Sequence, residues 1–181
     1  MKKRIVLKGL IVLSAFLFQV NFVIAQEQQP VENYDQGFRL GFGLNAGAPL
    51  QNPYEMSLGA DARIQYDFTK KTSLTLTTGF TNLFVEGGAN DLGYIPAKLG
   101  FKAFVLKDKF YLMGEAGAAF AVTNNYDKTS FLWSPSIGYA TNKIDISLKY
   151  ENFNDFPIIR NNVVENGLGI VSLRLAYGFK L

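Results

Sequence analysis

The sequence predicts an all-β fold: an eight-stranded antiparallel up-and-down barrel that crosses a membrane and follows a cleaved signal peptide. Three observations predict it: apolar and polar residues alternating with period two, a basic-then-apolar head, and connections alternating between short and long. The end of the chain shows the alternation most clearly. Val171, Leu173, Leu175, Tyr177, Phe179 and Leu181 share one face, and Ser172, Arg174, Ala176, Gly178 and Lys180 the other. In a strand, successive side chains point to opposite sides, so one face is large and apolar throughout.

The head is read first because it is expected to be removed. Lys2, Lys3, Arg4 and Lys8 precede a mostly apolar run from Gly9 to Ile24, and small residues at Val23 and Ala25 place a cut at Ala25–Gln26. Ser14, Gln19 and Asn21 break the run, which leaves it short of the ~20 apolar residues of a membrane helix. The expected organisation is a signal peptide over 1–25, a short periplasmic segment over 26–36 and the barrel over 37–181. Four of the 18 Lys and Arg leave with the signal while all 15 Asp and Glu stay, so the exported chain is expected to carry a net charge of −1. That balance excludes nucleic acid as a partner. With no cysteine, no disulfide braces the exported domain.

The strands follow in order. The first, Gly37–Ala46, sets Phe38, Leu40, Phe42 and Leu44 against Arg39, Gly41, Gly43 and Asn45. The second, Tyr54–Phe68, alternates Tyr54, Met56, Leu58, Ala60, Ala62, Ile64, Tyr66 and Phe68 with Glu55, Ser57, Gly59, Asp61, Arg63, Gln65 and Asp67. The third pairs Leu74, Leu76 and Phe80 with a Ser/Thr face, and the fourth sets Ile95, Leu99, Phe101 and Val105 against Lys98, Gly100 and Lys102. The fifth opposes Phe110, Leu112 and Phe120 to Met113, Glu115 and Gly117. The sixth carries Phe131, Trp133, Ile137 and Tyr139; the seventh opposes Ile144, Ile146, Leu148 and Tyr150 to Asp145, Ser147, Lys149 and Glu151. Each approaches the ~9–11 residues of a tilted membrane strand.

Thr69–Thr72, Lys107–Lys109 and Thr141–Lys143 read as tight turns; Gly47–Pro53, Asn82–Gly93, Thr123–Ser130 and Asn152–Glu165 read as longer loops at the opposite end. Short periplasmic turns and longer outer loops are the usual asymmetry of membrane barrels. A soluble barrel is the main competitor, and it would turn the polar face to water. Here that face is rich in Gly, Ala and Ser, as a narrow interior requires. The apolar face also carries aromatics at both rims, with Phe38, Tyr66, Phe68, Phe110, Tyr139, Tyr177 and Phe179 near the turns. Tyr54, Phe80, Phe120, Phe131, Trp133 and Tyr150 lie near the loops, so two belts match two lipid–water interfaces.

Together these features resemble the small outer-membrane β-barrels of Gram-negative bacteria, the OmpA/OmpX-like group. The resemblance implies an outer-membrane location, contact with outer-membrane lipid and insertion by the barrel-assembly machinery, read from Tyr177, Phe179 and Leu181 of the last strand. Members commonly end on an aromatic residue, whereas this chain ends on Leu181. Barrel enzymes resembling this fold use a histidine, and the chain has none. No Gly-x-Ser-x-Gly elbow is present, no His/Cys metal site can form, and no oxygen cluster for calcium extends beyond Asn152, Asn154 and Asp155. No catalytic residue, metal or cofactor is therefore expected.

The lumen should collect Arg39, Glu55, Asp61, Arg63, Lys98, Lys102, Glu115, Asp145, Lys149, Glu151 and Arg174, six positive and five negative. Buried charges must be paired, so a salt-bridged plug is expected in preference to a pore. Counting from a turn at Lys107–Phe110 sets Lys102 across from Glu115. In the last loop, Phe153, Phe156, Ile158 and Ile159 are candidate contacts for a protein or envelope partner; alternatively, strands seven and eight simply extend and pack on each other. The functional expectation is a non-enzymatic barrel with a structural or surface-binding role through its extracellular loops. The alternative is a narrow channel or carrier for small solutes or apolar molecules. On this reading Glu115→Ala lowers the melting temperature in detergent by leaving Lys102 unpaired, and an unchanged midpoint would contradict the pairing.

Overall fold

The structure is a computed structural model that describes residues 36–85, 90–123, 126–161 and 163–181. The expected signal peptide, its cut and the segment up to residue 35 lie outside the described residues.

The described strands are β1 (Gly37–Pro49), β2 (Tyr54–Asp67), β3 (Thr72–Val85), β4 (Leu92–Val105), β5 (Phe110–Ala121), β6 (Thr129–Ala140), β7 (Ile144–Arg160) and β8 (Val163–Lys180). They form a closed barrel in sequence order. Antiparallel pairing of β8 with β1, from Arg39↔Lys180 to Pro49↔Ile170, completes the ring. Closure leaves no open edge along the paired wall, the condition for β-structure in lipid. One helical turn, Leu106–Lys109, joins β4 to β5.

The alternation in the sequence becomes the inside and outside of the wall. Phe42, Leu44, Leu99, Leu112, Leu173 and Leu175 are more than half exposed on the outer surface, while Asp61, Arg63, Lys98, Lys102, Glu115 and Arg174 are buried within. Aromatic pairs mark both rims. Phe38 packs on Tyr66 with ring centroids 4.9 Å apart and Phe110 on Tyr139 at 5.0 Å near the turns, and Trp133 lies 5.6 Å from Tyr150 near the loops.

Three expectations are corrected. First, the register between β2 and β3 shifts between Tyr54 and Met56. Because strand side chains alternate, a one-residue slip exchanges faces: Tyr54 is buried inside and Glu55 is exposed. Second, the β4–β5 turn occupies Leu106–Lys109, and pairing follows Val105↔Phe110, Lys102↔Met113 and Gly100↔Glu115. Lys102 and Glu115 therefore keep the expected face but lose each other as cross-strand partners, since a two-residue slip preserves side while changing neighbour.

Third, most of the segment read as the final loop is strand, as in the alternative in which strands seven and eight extend and pack on each other. β7 runs for 17 residues and β8 for 18, paired as far as Arg160↔Val163 and turning at Asn161 with φ +52. Irregular register between Phe153 and Pro157 breaks the alternation that would have revealed it. Phe153 and Phe156, three apart, consequently both face inward and are 0% exposed, and Ile158 is 2% exposed. Of the four proposed loop contacts only Ile159, at 41%, is open to solvent.

The wall is tight where β4 meets β5. A Cβ on Gly117 would overlap the carbonyl oxygen of Ala97, a backbone atom that cannot yield, whereas a Cβ on Gly114 meets nothing within 4 Å. Gly117→Ala is thus expected to cost about 3 kcal/mol or more, as overpacking against backbone does. It should weaken or abolish the heat-shifted gel band of the folded barrel, with Gly114→Ala as the silent control.

Candidate functional site: the barrel interior

The interior is the most chemically dense region of the fold, and it is layered. At the turn end, Asp67 collects Arg39 Nε at 2.7 Å, Gln65 Nε2 at 2.6 Å and the Ser73 hydroxyl at 2.6 Å. Asp67 is an inward-facing carboxylate that the expected set of lumen charges omitted.

One step further in, Asp145 accepts a hydrogen bond from Lys102 Nζ at 2.7 Å and another from the Tyr111 hydroxyl at 2.6 Å. The same ammonium lies 3.8 Å from the centroid of the Tyr111 ring, a cation–π contact that adds to the ion pair. Arg174 binds Asp61 through Nε and Nη2, a bidentate fork that Asn45 supports by donating to Asp61 Oδ2 at 2.7 Å. Arg174 Nη1 also stands 3.8 Å from Asp145, which links the two pairs.

The middle layer is a chain of alternating charge. Glu115 receives the Thr77 hydroxyl at 2.7 Å, Arg63 Nη2 at 3.4 Å and Lys98 Nζ at 3.3 Å. Lys98 continues to Glu151 at 2.8 Å, and Glu151 holds Lys149 at 3.1 Å. Groups from β2, β4, β5 and β7 meet here, so the network ties the wall across its diameter and not merely along neighbouring strands. The expected lumen residues Arg39, Asp61, Arg63, Lys98, Lys102, Glu115, Lys149 and Arg174 all take part. The partner of Lys102 is Asp145, and those of Glu115 are Lys98 and Arg63.

Above this network, at the loop end, the interior becomes apolar. Tyr54, Leu83, Leu92, Tyr94, Leu132, Phe153, Phe156, Ile158, Leu168 and Ile170 form one buried cluster. Phe153 and Phe156 stack at 4.9 Å with 7° between planes, and Tyr94 meets both edge-on at 5.0 and 5.6 Å. The β7–β8 hairpin supplies Phe153, Phe156, Ile158, Leu168 and Ile170 to this cluster and is tied to the opening. Ile159 N–H donates to Asn52 C=O at 2.7 Å, Leu50 N–H to Gly169 C=O at 2.8 Å, and the Tyr126 hydroxyl to Asp155 C=O at 3.2 Å. In the wall β8 and β1 separate β7 from the β1–β2 connection, so the first of these bonds bends the hairpin over the mouth. The apolar cap was not anticipated as a unit. Its signal lay in the inward-phase positions, which change from Lys98 to Tyr94 in β4 and from Ser172 and Arg174 to Ile170 and Leu168 in β8.

Among the described residues no group of acidic side chains is arranged to hold a metal. The candidate assembly residues Tyr177 and Phe179 face outward at the turn end, and Leu181 N–H donates to Phe38 C=O at 2.9 Å.

No family model and no curated protein matches the sequence. Solved structures match the fold. Ail, the attachment invasion locus protein of Yersinia pestis, superposes with a TM-score of 0.56 at 16% identity, covering 80% of this chain and 99% of Ail. The N-terminal β-barrel domain of Pseudomonas aeruginosa OprF gives 0.58 at 10% identity, covering 80% and 99%. A second Ail structure, in complex with the heparin analogue sucrose octasulfate, gives 0.56 at 15% identity with the same coverage. These likenesses show the fold: the chain shares the eight-stranded β-barrel architecture of Ail and of the OprF domain.

The layering predicts how stability is coupled. Asp145→Asn should cost roughly 3 kcal/mol, the usual effect of stranding a buried charge, and Lys102→Met added to it should recover part of that loss. Glu115→Ala should destabilise by stranding Lys98 and Arg63, and should combine almost additively with Lys102→Met. Urea unfolding of the refolded barrel measures both cycles.

Proposed function

We propose that this chain is an outer-membrane barrel, a closed, non-enzymatic wall element whose specific role is carried by its loop-end surface. The observation that carries this reading is the layering of the interior, an ion-paired network with an apolar cluster above it, which we read as a double seal. Each would have to be dismantled for a solute to pass. Opening the lower layer separates buried charges, which costs several kcal/mol per unpaired ion. Opening the cap exposes stacked aromatic surface to water.

The surface that remains is the tip of the β7–β8 hairpin, with Ile159 41%, Val163 58% and Val164 71% exposed beside the Arg160–Glu165 pair. Exposed aliphatic residues on a tip anchored by backbone hydrogen bonds suit contact with a protein or envelope component. Charge narrows the partner. Among the described residues the loop end carries Glu55, Asp91, Asp127, Asp155 and Glu165 against Lys128 and Arg160. That balance is unfavourable for a polyanion such as the heparin analogue bound to Ail.

Planar-bilayer conductance of the refolded mature protein tests the closed reading. The expected result is a silent bilayer from protein that shows the heat-shifted band. Discrete, reproducible steps would overturn it in favour of a narrow channel. The double variant Phe153→Ala/Phe156→Ala should also stay silent, because the ion-paired layers below the cap still fill the lumen.

A further inference from the structure

Among the described residues, the charges outside the lumen are segregated by end. At the turn end, Lys70 and Lys71 lie in the β2–β3 connection, Lys107 and Lys109 flank Asp108 in the helical turn, Lys143 lies in the β6–β7 connection and Lys180 closes β8. Lys70, Lys71, Lys109, Lys143 and Lys180 are all exposed. The loop end, as described above, carries the opposite sign. The lysines occupy each of the four places where the chain reaches that end of the barrel, so they make a ring and not a one-sided patch.

Position gives the ring its chemistry. Phe68, Phe110, Tyr139, Tyr177 and Phe179 form the outer aromatic belt one to four residues from these lysines in sequence. An aromatic belt sits at the lipid–water interface, and a lysine just beyond it reaches the headgroups while its methylene stem stays on apolar surface. A globular partner would meet one side of the barrel. An annulus of lipid meets every side, and only a positive ring matches it.

We propose that the turn end is a collar for anionic phospholipid, in which these lysines bind the headgroup phosphates of the leaflet they face. The inference rests on the outer-membrane reading and adds a lipid preference to it. The charge also favours one insertion sense, with the lysine end toward the leaflet richer in anionic phospholipid.

The test is competition between spin-labelled phosphatidylglycerol and spin-labelled phosphatidylcholine for the annulus of the refolded protein in phosphatidylcholine vesicles. A preference of roughly threefold for the anionic lipid is expected, below the full attraction of several lysines near a charged surface. It should fall toward unity in K70Q/K71Q/K109Q/K143Q/K180Q and in high salt, and single variants should each remove a small share. No preference in the wild type, or a preference surviving all five substitutions, would overturn the proposal. Loss of the whole preference on removing one lysine, or on adding free inorganic phosphate, would also overturn it, since either marks a discrete phosphate site. If the five-fold variant shows no heat-shifted band, the single variants and the salt titration decide. Failure of the wild type to insert in the phosphatidylcholine vesicles would instead overturn the membrane reading itself.

Discussion

Closing eight strands into a ring is the constraint from which the rest of this structure follows. The ring satisfies the backbone hydrogen bonds of the wall and so permits life in lipid, but it also fixes an interior only wide enough for side chains. Whatever points inward must pack against, or pair with, whatever points inward from the opposite wall. Arg174 on β8 therefore meets Asp61 on β2, and Lys98 on β4 meets Glu151 on β7. These partners are 113 and 53 residues apart in the chain, so they form only when closure has brought distant strands together. The ion pairs are consequences of closure and, once made, resist its reversal.

The two interior layers obey different physics. In the lower layer a carboxylate is stable only because several donors converge on it: Asp67 and Asp145 each accept from a cation and from a neutral hydroxyl or amide. Removing one member leaves charge in a space with little room for water, which makes the network sensitive to single changes. The upper layer is held by contact area and ring stacking, and it has no such all-or-none pairing. A barrel filled by salt bridges alone would present ions to water at its mouth; the apolar cap separates them from it.

How much of this was legible in the sequence depended on the type of regularity each feature left behind. Strand number, order and facing were readable because period-two alternation survives in all eight strands, and the face of Lys102 or Glu115 depends only on parity. Their partners were not readable, because a pairing depends on the turn to the exact residue, and a turn beginning at Leu106 instead of Lys107 moves each partner by two. Where parity itself was interrupted, even facing was lost. The shift beside Tyr54 turned an expected belt aromatic inward, and the irregularity between Phe153 and Pro157 disguised a continuing strand as a loop. The cross-barrel contacts were beyond reach for a further reason: no local pattern records which residues face one another across a lumen.

The same hairpin shows why the loop end carries specificity in this reading. Beyond Phe153, β7 has left β6, and beyond Ile170, β8 has left β1, so the wall no longer dictates where these strands go. Their direction is set by Phe156 and Ile158, which must be buried, and by the bond from Ile159 to Asn52. Burying the inner face of the hairpin fixes the outer face by alternation, and places Ile159 and its cross-strand partner Val164 toward solvent. The outer surface is therefore positioned by the cap beneath it. A residue inside the lumen that alters the cap will alter the presented surface as well, which couples a region no partner touches to the one a partner meets.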